Sequence, residues 1–401
     1  MPLMRLPKMS VPDRLRRPPP KLVALFTNLL GIGGVQEAGR LTAKALGEIG
    51  SSRGWCVELL SLNDPAGEHV LPYCGCEVKF FGFGRAKARF TFFAILKSII
   101  QASRKFSSIV LAAHPHLAVP ASCARRANPA LRMIVMSHGI EVWSQLSPLR
   151  LHALQQASAV LAPSTYTARK IADVQSIPEP KIKRVPWPLS PSLLSLHRTR
   201  AELPLPQEFP CGKVILTVGR WDAAERYKGA DLLIKAIAPL RATIPDVHLV
   251  AVGGGDDLPR LRRIAVEEQV SDRVHFLANL SEEALAACYA NADVFALPST
   301  GEGFGLVFLE AMAFAKPVVG ASAGGTTDLI RDGVNGLLIP CSGAEVNVEL
   351  LAQRLSGLLK DDALRRRLGE CGAAMVRHEY QFGTFRKALQ EVICQVASNC
   401  S

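Results

Sequence analysis

Short apolar segments alternate with longer amphipathic segments along most of this 401-residue chain. The short segments are rich in Val, Ile and Leu, as in LVALFT at 22–27 and KVILTV at 213–218. Such alternation is typical of βαβ units stacked around parallel sheets, and it predicts an α/β fold. The predicted strands are 22–27, 55–61, 77–82, 108–113, 132–137, 158–163 and 181–186 in the first half, and 213–218, 247–252, 273–276, 293–297, 317–320 and 335–339 in the second.

The length and the proline-rich segments divide the chain. Because one hydrophobic core seldom grows beyond about 300 residues, 401 residues favour two domains. Residues 1–20 form a Pro- and Arg-rich tail that we predict to be disordered. The proline-rich segment from Pro186 to Gly212 predicts the connection between the domains. Beyond Leu338 the pattern indicates helices only, near 344–359, 362–377 and 383–398. We predict two doubly wound domains that face each other across a cleft.

Positive charge is concentrated in the first half of the chain. The net charge of +12 divides into +17 for residues 1–200 and −5 for residues 201–401. A basic first half suggests an anionic partner, such as acidic lipid headgroups or a phosphorylated acceptor, but a merely basic solvated surface accounts for it equally well. We expect no nucleic-acid partner, because the sequence has no RNA-recognition motif, zinc finger or aromatic-rich basic stripe.

Cysteine spacing and hydropathy indicate the compartment. The ten cysteines are scattered without metal-ligand spacing, which predicts reduced, unligated thiols. No apolar run reaches the ~18 residues of a membrane-spanning helix, and the N-terminus lacks the apolar region of a secretory signal. We therefore expect a cytoplasmic protein, with the inner membrane face as a second candidate location.

Chemically unusual residues follow the predicted strands at their carboxyl ends. Ligands bind at this edge of open parallel sheets, because loops converge there and helix N-termini point into the crevice. The residues are Gly31, Gly33, Gly34, His114, His138, Gly139, Arg220, Gly253, Gly254, Gly255 and Glu302. The cleft between the two carboxyl edges is therefore the predicted site.

Two of these segments could hold an anion. The turn GIGGVQ places Gly33 and Gly34 before a helix predicted to begin near Gln36, whose N-terminal amides attract negative charge. The turn lacks the G-x-G-x-x-G spacing of a dinucleotide site, and a plain strand-to-helix turn is the alternative. In VGRWDAAERYKG, Arg220 follows a strand and Lys228 precedes a helix, so both cations could contact a diphosphate. Solvated surface cations are the alternative there.

Two glutamates lie close together in STGEGFGLVFLEAMAFAKPVVG at 299–320. Glu302, in a glycine-rich loop, could accept hydrogen bonds from sugar hydroxyls or face developing positive charge. Glu310 is the only charge between Leu306 and Ala315, and in a helix its i±3 and i±4 neighbours are apolar. Such a carboxylate must be protonated, paired with a cation, or bound to donors such as ribose hydroxyls. A salt bridge to a buried Arg or Lys is the structural alternative.

Two further segments suggest contacts with substrate and with a surface. In MSHGIEVWSQL, His138 could donate to a substrate hydroxyl or phosphate and Trp143 could stack on a sugar, although a loop histidine is more often an ordinary surface group. The segment from Gly84 to Phe106 is amphipathic at helical period, and it could lie on an anionic bilayer or, as we favour, pack on the sheet. Its apolar stripe is Phe92, Phe93, Leu96, Ile99 and Ile100.

Five local patterns together resemble the retaining glycosyltransferases of family 4. In the order of that family, they are GIGGVQ at 31–36, HGIEVW at 138–143, VGRWDAAERYKG at 218–229, EGFGLVFLE at 302–310 and GGTTDLIRDGVNGLL at 324–338. The resemblance extends from about Lys21 to the C-terminal helix. It implies the GT-B fold, with an acceptor-binding domain at 21–195, a nucleotide-sugar-binding domain at 205–378, and a last helix at about 380–399 that packs back on the first domain.

The resemblance also implies residue roles. Arg220 and Lys228 match a diphosphate clamp, Glu302 matches the glutamate that contacts the donor sugar, and His138 matches the histidine near the transferred sugar. Glu310 matches the glutamate that binds the donor's ribose. The backbone of Phe304 and Gly305 matches the segment that holds sugar hydroxyls, and Gly33 and Gly34 match the loop that closes over the donor phosphate. The remaining candidate donor-binding residues are Gly303, Leu306 and Gly253.

The sequence departs from the family pattern at three places. The insert between Arg220 and Lys228 is longer than usual, so we expect a base-side loop that differs from the family's. The segment VPWPLSPSL at 185–193 lacks the common Asn-Gly-x-Asp turn, so we expect different acceptor-side and hinge contacts. Asp328 stands where many members have glutamate.

The expected activity is retaining transfer of a hexosyl unit from a nucleotide-diphosphate sugar to an alcohol on a lipid-linked or soluble glycan. No cofactor and no metal are expected, because the two cations and a helix dipole would neutralise the leaving diphosphate. Two alternatives stay open: a catalytically silent sugar-nucleotide-binding protein, and a related nucleotide-sugar epimerase. The patterns do not specify the base or the sugar of the donor.

Overall fold

The computed structural model describes residues 21–99, 108–198, 203–343 and 345–398. Within these residues, two large sheets of mainly parallel strands carry helices between their strands. The predicted α/β architecture of two doubly wound units is therefore confirmed. The predicted disordered tail at 1–20 and the end of the amphipathic segment at 100–107 lie outside the described residues.

Eight strands form the first sheet. They are β1 (Lys21–Phe26), β2 (Cys56–Ser61), β3 (Gly67–Tyr73), β4 (Cys76–Gly82), β5 (Ile109–Ala112), β6 (Arg132–Met136), β7 (Ala159–Ala162) and β8 (Ile182–Arg184). Their order is β3-β4-β2-β1-β5-β6-β7-β8, and all neighbours are parallel except β3 and β4. All six residues of β1 are buried, as expected of a central strand covered on both faces.

Six parallel strands form the second sheet. They are β9 (Lys213–Val218), β10 (Val247–Val252), β11 (Val274–Leu277), β12 (Val294–Leu297), β13 (Val318–Ala321) and β14 (Gly336–Ile339). Their order is β11-β10-β9-β12-β13-β14, so the chain moves outward from β9 in one direction and then, from β12, in the other. This reversal leaves a crevice between the loops that follow β9 and β12, which carry Arg220 and Glu302.

Helices connect the strands and complete the chain. They are α1 (Gly34–Arg53), α2 (Lys87–Ile99), α3 (Ala118–Ala127), α4 (Pro148–Gln155), α5 (Thr165–Gln175), α6 (Pro191–Arg198), α7 (Ala230–Thr243), α8 (Leu258–Glu267), α9 (Glu282–Asn291), α10 (Leu306–Ala313), α11 (Thr326–Leu329), α12 (Val348–Lys360), α13 (Asp362–Glu379) and α14 (Phe382–Ser398). Local sequence sets several of their starts. The side chains of Ser164, Asn347 and Asp361 accept backbone hydrogen bonds at the N-termini of α5, α12 and α13.

The last helix, α14, lies against the first helix, α1. Arg386 forms a 3.4 Å ion pair with Glu48, and the Lys44 ammonium lies 5.3 Å from the centre of the Phe382 ring. Just before α14, the Tyr380 carbonyl accepts a 2.9 Å hydrogen bond from the amide of Leu189 in the connecting segment. The end of the chain therefore crosses from the second sheet to the elements of the first.

The structure adds elements that the sequence pattern did not predict. Strand β3 forms an antiparallel edge of the first sheet. It contains Pro72, a residue that is unfavourable inside central strands, and the pattern therefore did not predict a strand there. The region after β14 is not wholly helical, because β15 (Cys341–Ser342) and β16 (Glu345–Val346) pair antiparallel before α12. The proline-rich connection contains α6, whose first residue is Pro191, a position where proline is favourable.

Helix α2 is rotated relative to the predicted stripe. Phe90 and Ala94 are buried, whereas Phe92 is 60% exposed. Phe93 is partly buried, and its ring centre lies 5.6 Å from that of Phe83. The prediction that the whole stripe packs on the sheet is therefore wrong. The buried face of the helix contains Phe90 and Ala94, four residues apart, and Phe92 lies on a different face. In the part of the chain that the structure describes, no helix is both long and apolar enough to span a bilayer.

Candidate active site

The glycine turn after β1 is held from behind by buried polar groups. The carboxylate of Asp64, only 1% exposed, accepts hydrogen bonds from the amides of Leu29 (2.7 Å) and Leu30 (3.2 Å). Arg40 donates to the Gly31 carbonyl at 2.8 Å. Helix α1 begins at Gly34, two residues earlier than predicted.

The front of the same turn is open. Gly33 precedes α1 with a φ of 137°, in the region that favours glycine, and a Cβ added at Gly34 would meet nothing within 4 Å. The intervening Ile32 side chain is 95% exposed. Space for a ligand is therefore available at the N-terminus of α1, where amide groups and the helix dipole favour an anion.

Arg220 and Lys228 meet at a third residue, Glu225, which lies in the insert between them. Lys228 Nζ lies 2.6 Å from Glu225 Oε2, and Arg220 pairs with the other carboxylate oxygen. Lys228 Nζ also donates to the Arg220 carbonyl at 3.3 Å. Burial lowers the pKa of Lys228, and the nearby Glu302 carboxylate opposes that shift. The two predicted clamp residues are thus adjacent, and the solvated-cation alternative is wrong for Lys228, which is 16% exposed.

Glu302 lies beside this cationic group. Burial raises the pKa of its carboxyl, while the positive charge of Lys228 and a hydrogen bond with Ser299 act against that rise. Tyr227, next to Lys228, packs its ring against Gly301, where a Cβ would lie 2.5 Å from the ring. The loop after β12 and the insert after β9 therefore form one continuous wall.

Glu310 projects from α10 with a tyrosine as its partner. Its Oε2 accepts a 2.7 Å hydrogen bond from the hydroxyl of Tyr289 on α9. Burial raises the pKa of Glu310 to about 7, the hydrogen bond from Tyr289 acts against that rise, and the charge of Glu37 adds to it. Within the described residues Glu310 forms no ion pair, so the salt-bridge alternative is wrong.

His138 lies in a stack of rings at the carboxyl edge of the first sheet. Its ring centre is 5.6 Å from that of His114 and 5.5 Å from that of Trp187, with interplanar angles of 25° and 11°. Its Nε2 is 2.7 Å from the Ala113 carbonyl. Burial lowers the pKa of His114 to about 3, with the charges of His138, His116 and Arg150 acting in the same direction. His138 is therefore a fixed group rather than an ordinary surface histidine.

The loops that carry His138 and Glu302 touch each other. A Cβ added at Gly139, whose φ is 152°, would lie 2.4 Å from the Cα of Gly303. The Gly303 carbonyl accepts a 2.7 Å hydrogen bond from Ser164 Oγ at the start of α5. The carboxyl edges of both sheets therefore meet, which is the predicted arrangement of two units across a cleft.

Asp328, one of the three departures from the family pattern, also joins the two units. It accepts a 2.5 Å hydrogen bond from the Thr165 amide. Its carboxylate also lies 3.8 Å from an Arg184 nitrogen. Aspartate at position 328 therefore contacts both a backbone amide and an arginine side chain of the first unit.

The other predicted donor-binding residues occupy backbone positions around this contact. Gly305 precedes α10 with a φ of 95°, and Leu306 is the first residue of that helix. The Phe304 side chain is buried and its ring centre lies 5.9 Å from that of Tyr380, so only its backbone can face a ligand. The backbone of Gly253 approaches the Gly219 carbonyl closely. A Cβ added at Gly253 would lie 1.8 Å from that carbonyl oxygen, so only glycine fits there.

The sequence patterns missed several residues of the site. Tyr289 and Ser164 lie in segments that gave no signal for a polar contact. Glu225 lies in the candidate anion-binding segment at 218–229, where the pattern gave it no role. Trp143 was predicted to stack on a sugar, but its ring packs edge-on against Tyr166 at 4.9 Å and its Nε1 donates to Thr167. The aromatic ring beside His138 is instead Trp187, in the proline-rich connection.

Comparison with known proteins identifies the family of this site. The family model for glycosyl transferases group 1 matches residues 206–375, which contain Arg220, Lys228, Glu302 and Glu310. The GDP-mannose-dependent alpha-(1-6)-phosphatidylinositol monomannoside mannosyltransferase of Mycolicibacterium smegmatis is 31% identical over 289 residues, covering 69% of this chain and 73% of that protein. Phosphatidyl-myo-inositol mannosyltransferase of Mycobacterium tuberculosis is 33% identical over 189 residues, covering 47% of this chain and 48% of that protein, about half of its length.

A solved structure shares the whole fold. Sucrose-phosphate synthase from Thermosynechococcus elongatus superposes with a TM-score of 0.72 over 94% of this chain and 99% of that chain, at 23% identity. The fold is GT-B, as the sequence predicted. With the family match over the second sheet and the first relative covered over most of its length, the chain belongs to the group 1 glycosyltransferases.

Proposed function

We propose that this glycosyltransferase belongs to family 4 and transfers a hexosyl unit, with retention of configuration, from a nucleotide-diphosphate sugar to an alcohol acceptor in glycolipid or polysaccharide assembly. The observation that carries the proposal is the meeting of two cations and two carboxylates after β9 and β12. The loop that follows β6 brings His138 against the same place. Charge for a diphosphate and acceptors for hydroxyl groups are thereby available at one cleft.

The donor would lie along the carboxyl edge of the second sheet. Arg220 and Lys228 would stabilise the charge that develops on the departing diphosphate, a contribution that is stronger in the transition state than in the ground state. Glu310 forms no ion pair within the described residues, so its carboxylate would accept hydrogen bonds from the ribose hydroxyls. Gly33 and Gly34 would present the N-terminus of α1 to the phosphates from the opposite side.

Transfer would proceed on the face of the sugar from which the diphosphate leaves. The acceptor oxygen attacks the anomeric carbon as the bond to the phosphate breaks, and the leaving phosphate takes the acceptor proton. Glu302 would contact the sugar and stabilise positive charge near the anomeric carbon. His138 donates its Nε2–H to the Ala113 carbonyl, so its Nδ1 would accept a hydrogen bond from a sugar hydroxyl. We propose that the two cations, rather than a metal ion, neutralise the diphosphate, so activity should survive treatment with a chelator.

We propose that the acceptor is carried by a lipid, and a helix of the first sheet's unit, α2, supports this choice. The exposed face of α2 combines Arg89 with Phe92, three residues apart, and Lys87 is also exposed. Cations beside an exposed aromatic ring suit the surface of an anionic bilayer. The names of both mannosyltransferase relatives specify phosphatidylinositol compounds. Flotation with anionic vesicles should show binding that Phe92→Ser reduces, and absence of binding by the intact chain would leave a soluble acceptor.

The decisive test of the function is a donor experiment. Thermal shifts with UDP, GDP and ADP identify the base, because a nucleotide that binds the native state raises its apparent stability. GDP-mannose is the first donor to examine, since the name of the Mycolicibacterium smegmatis relative specifies dependence on GDP-mannose. Single-turnover transfer should fall about a hundredfold in Lys228→Ala with little change in folding. An unchanged rate would refute the clamp. Conversion of the donor into an epimeric nucleotide sugar without an acceptor would indicate an epimerase, and binding without turnover would indicate a silent protein.

A further inference from the structure

The segment between Arg220 and Lys228 forms a short 3₁₀ helix, Ala223–Lys228, with a break in its middle. Glu225 departs from helical geometry there, with φ −117° and ψ 25°. Sequence comparison with the family pattern marked this insert as longer than usual, and the family pattern gave Glu225 no role. The structure places its side chain at the centre of the cationic group.

Glu225 connects the two cations through different oxygens. Its Oε1 pairs with Arg220 Nη2, and its Oε2 lies 2.6 Å from Lys228 Nζ. The Glu225 side chain is 13% exposed and that of Lys228 is 16% exposed, so both are largely removed from solvent. Arg220 is 56% exposed, and its Nε also lies 3.0 Å from Asp222. Solvent, and therefore a ligand, can reach the group from the Arg220 side.

This geometry neutralises the cations before any phosphate arrives. A carboxylate that takes one cation on each oxygen occupies the same charge-assisted contacts that two phosphate oxygens would use. A diphosphate carries at least two negative charges, and a carboxylate left between it and the cations would repel it strongly in a partly buried site. Binding therefore requires the Glu225 side chain to leave one or both cations.

We infer that Glu225 is an internal competitor for the diphosphate site, which sets the affinity for the donor and helps to expel the nucleoside diphosphate product. The inference rests on the proposed function, because it takes Arg220 and Lys228 as the residues that bind the diphosphate. After transfer, the charge of the free diphosphate is greater but its bond to the sugar is gone. A carboxylate that returns to Lys228 then favours dissociation of the product.

The test is Glu225→Gln, which keeps the size of the side chain and removes its charge. Isothermal titration with UDP, GDP and inorganic pyrophosphate should show binding about tenfold tighter than in the intact protein, since a competing carboxylate that pairs with both cations is lost. Uridine and guanosine, which lack phosphate, should bind unchanged. Inhibition of transfer by the nucleoside diphosphate should strengthen to the same extent, and kcat should fall if product release limits turnover.

Matched controls separate charge at this position from charge in general. Glu267→Gln removes a carboxylate from the exposed face of α8, where it pairs with Arg263 at 3.6 Å, and it should leave all affinities unchanged. Asp222→Asn removes the direct ion pair with Arg220 but none with Lys228, and its effect should be smaller than that of Glu225→Gln. A weaker or unchanged affinity in Glu225→Gln would overturn the inference, since it would mean that Glu225 merely positions the cations.

One further variant distinguishes failure of this inference from failure of the proposed function. If Lys228→Ala weakens binding of the diphosphates while Glu225→Gln does not strengthen it, the clamp stands and the competitor role is wrong. If Lys228→Ala also leaves every affinity unchanged, the diphosphate binds elsewhere and both are wrong. Circular dichroism of each variant checks that the fold is retained.

Discussion

Replacing Glu310 by glutamine should affect stability and binding in opposite directions. The carboxylate lies on an otherwise apolar helix, and its described partner is the neutral hydroxyl of Tyr289. Glutamine has almost the same shape and can still accept that hydrogen bond through its amide oxygen. The substitution therefore removes a charge without creating a cavity.

The effect on stability follows from the two pKa values of this glutamate. Burial raises the pKa in the folded protein to about 7, from 4.5. The folded state consequently binds more protons between these values, and stability falls as the pH rises from about 4.5 to about 7. Glutamine has no such cost, so the variant should gain about 2–3 kcal/mol relative to the intact protein between pH 5 and pH 8.

The effect on nucleotide binding has the opposite sign. Hydroxyl groups donate more strongly to the ionised carboxylate than to the neutral acid, so binding should favour the ionised form. With a pKa of about 7, the ionised fraction of Glu310 rises about tenfold between pH 6 and pH 8, and affinity should rise with it. The variant should bind more weakly at pH 8 and show only the pH dependence of the phosphate itself.

Urea denaturation and isothermal titration of both proteins at pH 5, 6, 7 and 8 measure these effects. Two domains can unfold in separate steps, so the relevant transition is the one that bound nucleotide moves to higher urea. Glu267→Gln, on an exposed helix face, controls for loss of any carboxylate. A stability difference that does not change with pH would refute the raised pKa. A variant with undiminished affinity at pH 8 would refute the contact with ribose.

Three further substitutions test contacts around the cleft. Tyr289→Phe removes the hydrogen bond that lowers the pKa of Glu310, so the pH midpoint of nucleotide binding should rise, and an unmoved midpoint in titrations would contradict this. Gly139→Ala cannot keep its close approach to Gly303, so steady-state kcat should fall about tenfold while nucleotide affinity, measured by titration, stays unchanged. Asp64→Asn weakens the hold on the glycine turn and should cost about 1–3 kcal/mol in urea denaturation, against no loss if the turn holds itself.

The positions of most strands were accessible from the sequence, because both faces of a central parallel strand are buried and its residues form a continuous apolar run. Each strand predicted from an apolar run overlaps an observed strand, and residues at their carboxyl ends line the cleft. Strand β3 was missed because it is a partly exposed edge strand. Its sequence, GEHVLPY, contains a charge and a proline and therefore forms no continuous apolar run. Periodicity therefore identified the parallel strands of the first sheet and missed its antiparallel edge strand.

Long-range side-chain partners were not accessible in the same way. Glu310 was recognised as anomalous from its apolar neighbours, but nothing in the run EEALAACYAN indicates that Tyr289 donates to it. Similarly, Glu225 follows two alanines in a loop, where an acid is usually solvated. Its pairing with both cations depends on a local break in a 3₁₀ helix, which no periodicity encodes.

The balance of charge in the cleft indicates which part of a donor supplies binding energy. Asp222, Glu225 and Glu302 act directly on Arg220 and Lys228, so carboxylates outnumber the cations in this group. A site of this composition gives little attraction to a free phosphate. Binding must then draw on hydroxyl groups of ribose and sugar that donate to the carboxylates, as well as on backbone amides at the starts of α1 and α10. An intact nucleotide sugar supplies both sets of contacts, whereas the nucleoside diphosphate left after transfer lacks the sugar's share and dissociates more readily.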